Sequence, residues 1–174
     1  MAGVRSGIDR CLSRVRDEAR LSLAVPEVSA WSIGEHLEHL LYSDRTVLDW
    51  IVEALSRPTP EIRTTEHFPH EIGVALLKRG SIPRGRGPAP DFTIPDGLTP
   101  PEVQAGFEAL RGLAAALAPR LAELDACQRT LPHHVLGHFT AAEWLRFLHL
   151  HHHHHEAIIR DILQTCPVGG PPEA

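Results

Sequence analysis

The sequence predicts an all-α fold: a four-helix bundle with a long crossover loop between helices two and three. Three observations predict it. Three helix starts share a hydroxyl residue followed three positions later by glutamate, Ser32/Glu35, Thr99/Glu102 and Thr140/Glu143. At that spacing each side chain satisfies a backbone N–H at the other's position. Behind each start, apolar residues recur at steps of three and four, as on the core-facing stripe of a helix. Of the fifteen prolines and thirteen glycines of this 174-residue chain, many lie between Pro58 and Pro101, with another cluster in the last eight residues, the pattern of one long connection and a tail.

The elements follow in order. In the first helix Ile8, Leu12 and Val15 share a face, and Pro26 closes the segment. The second begins at Ser32 and carries the stripe Ile33, Leu37, Leu40, Asp44, Val47 and Ile51. It runs to about Ser56, before Pro58 and Pro60, which cannot continue a helix. The connection from Pro58 to Leu98 is far longer than antiparallel neighbours need, so helices two and three should run parallel. Within it Glu71 to Lys78 should form one short helix, and the Pro/Gly/Arg-rich stretch from Ser81 to Phe92 is irregular. The third helix starts at Thr99, where Pro100 and Pro101 sit where a missing N–H is tolerated. Its stripe is Val103, Phe107, Leu110, Ala114, Leu117, Leu121 and Leu124, with a bend at Pro119. The fourth starts at Thr140 and reads Trp144, Leu148, His151, His155, Ile158 and Ile162, antiparallel to the second. No strand is expected. Residues 1–165 are read as a single domain and 166–174 as a Pro/Gly-rich tail, in keeping with a 43% hydrophobic chain of this length.

Composition excludes several classes. A formal charge of −5 offers no basic footprint for nucleic acid. Cys11, Cys127 and Cys166 are odd in number and form no CxxC pair, which fits a reducing cytoplasm better than a disulfide framework. Arg5, Asp9, Arg10, Arg14, Arg16 and Asp17 interrupt the first segment, so neither a signal sequence nor a membrane span is expected. The expectation is a cytoplasmic protein without a membrane partner.

Thirteen histidines are the outlying number. The run His151 to His155 lies inside a core-facing seam that continues through Ile158, Ile159 and Ile162, unlike a terminal purification tag. His151 and His155, at i and i+4, project from one helix face and suit chelation of one ion. A further ligand must come from another helix at matching height. His39 lies seven residues beyond Ser32 and His155 nine before Gln164, so at 1.5 Å per residue their heights are roughly 10 and 13 Å. Periodicity alone favours His36, which lies closer than His39 to the stripe of Ile33, Leu40 and Val47; spacing leaves the choice open. His152, His153 and His154 cannot all face the core, and His152, three residues before His155, is the next candidate ligand. His67, His70, His133, His134 and His138 are read as loop residues. Asp44 is read as pairing with an arginine at a bundle edge rather than orienting a ligand imidazole. Trp31, Trp50 and Trp144 are read as core anchors.

The segment Trp31-Ser32-Ile33-Gly34-Glu35-His36-Leu37-Glu38-His39-Leu40 resembles the opening of helix two in the DinB-like superfamily, where a Trp-Ser pair precedes a metal-binding histidine followed by leucine. Leu136-Gly137-His138-Phe139-Thr140-Ala141-Ala142-Glu143-Trp144, running on to His151 and His155, is similar to that family's approach to helix four. The resemblance implies a four-helix bundle with metal ligands His39, His151 and His155. It covers both histidine-bearing helices well and the crossover loosely. Where many members carry Gln three residues after the last ligand, this chain has Ile158. Characterised members include transferases and isomerases that use bacillithiol, mycothiol or glutathione.

Three neutral imidazoles leave a divalent ion, zinc or nickel first and iron next, with its full charge and an open position. Such an ion acidifies a water or thiol. The leading expectation is a metal-dependent thiol S-transferase acting on a small-molecule thiol and a small electrophile, with no protein general base identifiable. Its rivals are a non-catalytic, stress-associated metal-binding bundle and a metal-dependent hydrolase. Exposed bundle faces leave room for a homodimer.

Overall fold

All three capping boxes form. Glu35 accepts from Ser32 N at 2.7 Å, Glu102 from Thr99 N at 2.8 Å and Glu143 from Thr140 N at 2.9 Å. Each opens a long helix: α3 (Ile33–Ser56), α5 (Pro100–Leu117) and α7 (Ala141–Thr165). The others are α1 (Ala2–Val15), α2 (Glu18–Leu21), α4 (Glu71–Arg79) and α6 (Leu121–Ala126). The structure, a computed structural model, describes residues 1–56, 71–85, 88–127 and 129–166. Pro58, Pro60, His67, His70, Arg86 and residues 167–174 lie outside the described residues.

Side-chain contacts give the helix directions. Gly3 approaches His149, Gly7 approaches His152 and Arg14 pairs with Glu156, so α1 and α7 run parallel. His36 meets His155 while His39 meets His151, so α3 is antiparallel to α7. Glu38 bonds residues 96–98, Gly106 lies on Leu41 and Arg120 reaches the Leu55 carbonyl, so α3 and α5 run parallel. The crossover therefore returns the chain to the end of the molecule from which α3 began. Between these helices lies one apolar cluster that includes Ile8, Leu12, Leu37, Leu48, Phe107, Ala114, Leu148 and Ile159. The stripes expected on α3 and α7 are buried throughout.

Two features depart from a plain four-helix reading. Residues Thr130–His133 (β1) and Gly137–Thr140 (β2) form an antiparallel hairpin, so His133 and His138 sit in strands rather than loops. Its turn depends on Gly137 at φ 84°, a left-handed conformation that glycine adopts without penalty. The second departure is at Pro119, which ends α5 instead of bending it. A 3-10 turn at Ala118–Arg120 follows, and α6 starts in a new phase. Leu124 remains in the core but Leu121 turns outward, 44% exposed. No helix among the described residues is long and apolar enough to cross a membrane.

Candidate metal centre

Residues 36–41 of α3 are all buried. A helix that packed on one side only would expose part of every turn, so α3 is enclosed at this height. His36 and His39 turn toward α7. Glu38 turns toward the crossover, where its carboxylate accepts the backbone N–H groups of Asp96, Gly97 and Leu98 at 2.8, 3.1 and 3.2 Å. That clamp holds the crossover against α3 near Thr93, whose carbonyl accepts from His39 Nδ1 at 2.8 Å. Farther back, Ile82 O meets His154 Nδ1 at 3.1 Å and Arg84 pairs with Asp161 at 2.8 Å. The irregular stretch is thus tied to both histidine-bearing helices.

His39, His151 and His155 converge. Their ligand nitrogens all lie within 4.8 Å of one another, and the rings are only 4%, 9% and 5% exposed. His151 Nε2 stands 3.2 Å from His39 Nε2 and 3.0 Å from His155 Nε2. Two nitrogens bound at about 2.1 Å to one tetrahedral zinc stand roughly 3.4 Å apart, so the spacing suits a shared ion. The donor set suits it too, because His39 Nδ1 is occupied by the Thr93 carbonyl and its lone pair is left on Nε2. Burial, followed by the neighbouring histidines, holds the His151 and His155 rings well below the usual imidazole range, and burial also lowers His39. Neutral imidazole is the form that binds metal. The cluster could therefore hold a metal ion.

His36 is not part of that cluster. Its Nδ1 lies 2.9 Å from His155 Nδ1 and its Nε2 lies 3.0 Å from Ser29 Oγ. Burial, aided by His39, lowers it to about 4. His152 leaves the cluster as well: it faces α1, with Nε2 at 2.7 Å from Asp44 Oδ2 and Nδ1 at 3.6 Å from Cys11 Sγ. The expected arginine partner of Asp44 is thus replaced by a buried histidine. Burial lowers the affinity of His152 for a proton, but Asp44 and Cys11 outweigh it and push the ring up to about 10. Trp31 packs on the site rather than only in the core, its ring centroid 4.9 Å from His39, 5.5 Å from His36 and 6.5 Å from His155. From the hairpin, His133 meets Phe147 edge to face, and Phe147 stacks on His151.

A family model described as the DinB superfamily matches residues 12–159 of this chain, which span every residue of the site. The chain belongs to the DinB superfamily. It is also similar to the uncharacterized protein YuaE of Bacillus subtilis (strain 168), 28% identical over 126 residues, or 72% of this chain and 73% of that protein. No solved structure matches. The region matched to the DinB superfamily includes Ser29, Glu38 and Thr93, none of which the sequence alone marks as supporting the site. For Glu38 a signal existed, a carboxylate between two histidines in a run of otherwise apolar residues. Ser29 acts from a loop and Thr93 from the short 3-10 turn Asp91–Thr93, where no periodicity marks them.

Proposed function

We propose that this DinB-superfamily protein binds one divalent ion, zinc or nickel first and iron next, through the Nε2 atoms of His39, His151 and His155, and uses it for S-transfer from a small thiol to a small electrophile. The observation that carries this reading is the convergence of three neutral, buried imidazole nitrogens from two helices at spacings suited to one ion. Such an ion, with three protein ligands and an open position, supplies Lewis acidity that turns a thiol into a thiolate near neutral pH. The chain's own residues orient the ligands: Thr93 holds His39, and Phe147 stacks on His151. Trp31 adds an apolar face packed on His39 and His155.

The test is turnover by metal-loaded protein with glutathione, bacillithiol or mycothiol and a chromogenic aryl halide. The proposal expects a rate that requires both thiol and metal and disappears in His155→Ala. Hydrolytic turnover without thiol would replace it with the hydrolase reading. The near-complete burial of the three rings supports a second reading, in which the ion only ties α3 to α7. Absence of turnover, together with a collapse of thermal stability on chelation, would favour it.

A further inference from the structure

We propose that His36 is a positioning residue that locks the ring of His155 for metal binding, with Ser29 as its anchor. The inference rests on the three-histidine reading and adds a residue to it. His36 comes from α3 and His155 from α7, and both are buried, at 2% and 5% exposure. Their Nδ1 atoms lie 2.9 Å apart, His36 Nε2 lies 3.0 Å from Ser29 Oγ, and Ser29 Oγ also accepts from Trp31 N at 3.2 Å.

The proton order follows from the chemistry of imidazole. A ring nitrogen that binds a metal carries no proton, so an ion on His155 Nε2 places that ring's proton on Nδ1. The neighbouring His36 Nδ1 must then accept, which puts the His36 proton on Nε2, where Ser29 Oγ receives it. The relay from His155 through His36 to Ser29 therefore has one direction when metal is bound. His36 cannot itself join the ion, because it meets the Nδ1 edge of His155 and the cluster lies at the Nε2 edge.

The three rings of the site are held unequally. His39 Nδ1 is fixed by the Thr93 carbonyl and His155 Nδ1 by His36, whereas His151 Nδ1 is buried with no hydrogen-bond partner among the described residues. Among the described residues, the α7 pair thus owes its only hydrogen-bonded orientation outside the cluster to His36. Partners of this kind raise ligand basicity and set the ring's rotation, and removing one commonly weakens metal affinity by about 10–100-fold.

The experiment compares wild type with His36→Leu, His36→Asn and Ser29→Ala. Each metal-free protein is titrated with cobalt(II) against a chromophoric chelator, the visible ligand-field spectrum is recorded, and helicity is checked by circular dichroism. Asn offers an acceptor oxygen close to the Nδ1 position, and Leu offers none. The expected result is that His36→Leu binds cobalt about 10–100-fold more weakly with an altered spectrum, that His36→Asn recovers most of both, and that Ser29→Ala shows a smaller loss. Wild-type affinity and spectrum in His36→Leu, or His36→Asn as weak as His36→Leu, would overturn the role of His36 while leaving the three-histidine site standing. Failure of wild type to bind cobalt would overturn both. Should His36→Leu not fold, unchanged binding in Ser29→Ala would overturn the relay and weakened binding would support it.

Discussion

His152 and Asp44 form a buried pair across α7 and α3, with Nε2 and Oδ2 2.7 Å apart and exposures of 2% and 0%. Asp44 and Cys11 outweigh burial and push His152 up to about 10, so its ring holds its proton at neutral pH against the Asp44 carboxyl oxygen. Removing the Asp44 acceptor strands the His152 charge in the core, which typically costs about 3–5 kcal/mol, whereas replacing both residues with apolar groups is far milder. Asp44→Asn should therefore destabilise strongly, and the double variant Asp44→Leu/His152→Leu should recover much of that loss in urea unfolding. Equal stability of Asp44→Asn and wild type would contradict a protonated His152 held by Asp44.

The pH dependence of metal-free protein has two limbs. His152 is raised above the ordinary histidine value of 6.5, so its contribution is complete below pH 6.5 and is lost as pH climbs toward about 10. His36 and His133 are both lowered to about 4, so the folded state resists protons that the unfolded chain accepts, and stability falls from pH 6.5 down toward 4. Thermal midpoints measured from pH 4 to 10 should peak near 6.5. Asp44→Asn should flatten the alkaline limb, where Asp44, Cys11 and His152 face one another, and leave the acid limb in place.

Glu38 links the crossover to the site. Its carboxylate accepts three successive backbone N–H groups and the Tyr42 hydroxyl. Glu38→Ala would remove the shared acceptor of these donors; Asp96 and Gly97 are exposed and Leu98 is half-buried, so water can take its place in part and each lost bond costs about 0.5–1.5 kcal/mol. It would also loosen the Thr93 carbonyl on His39. The variant should lose both unfolding stability and metal affinity. A loss of stability with metal affinity intact would show that the clamp does not act on His39.

Gly7 tests how closely α1 packs on α7. In the middle of a helix, alanine would ordinarily be favoured over glycine by roughly 0.5–1 kcal/mol. Here an added Cβ would stand 2.5 Å from Cγ of His152. Overpacking of this kind costs about 1–3 kcal/mol, so Gly7→Ala should lower the thermal midpoint. A higher midpoint would mean that α1 yields at that height.

The parts of the fold legible in the sequence were those with local causes. The capping boxes at Ser32, Thr99 and Thr140 marked the long helices, and the stripes of α3 and α7 marked their buried faces. The hairpin was not legible, since four-residue strands such as Thr130–His133 are too short to show alternation. Spacing left the choice between His36 and His39 open because it assumes one buried face, whereas the crossover encloses α3 and buries both. The place of His152 against α1 was not legible, because nothing in α7 reveals that Gly3 and Gly7 let α1 approach so closely. Asp44 was placed at a bundle edge for the same reason, its partner lying 108 residues away.

The most direct test of the metal centre is metal content by mass spectrometry on untagged protein purified without a nickel column, for wild type and for His39→Ala, His151→Ala, His155→Ala and His152→Ala. The account predicts near one divalent ion per chain in wild type and in His152→Ala, and its loss in the other three. No stoichiometric metal in wild type, or loss only with His152→Ala, would contradict it.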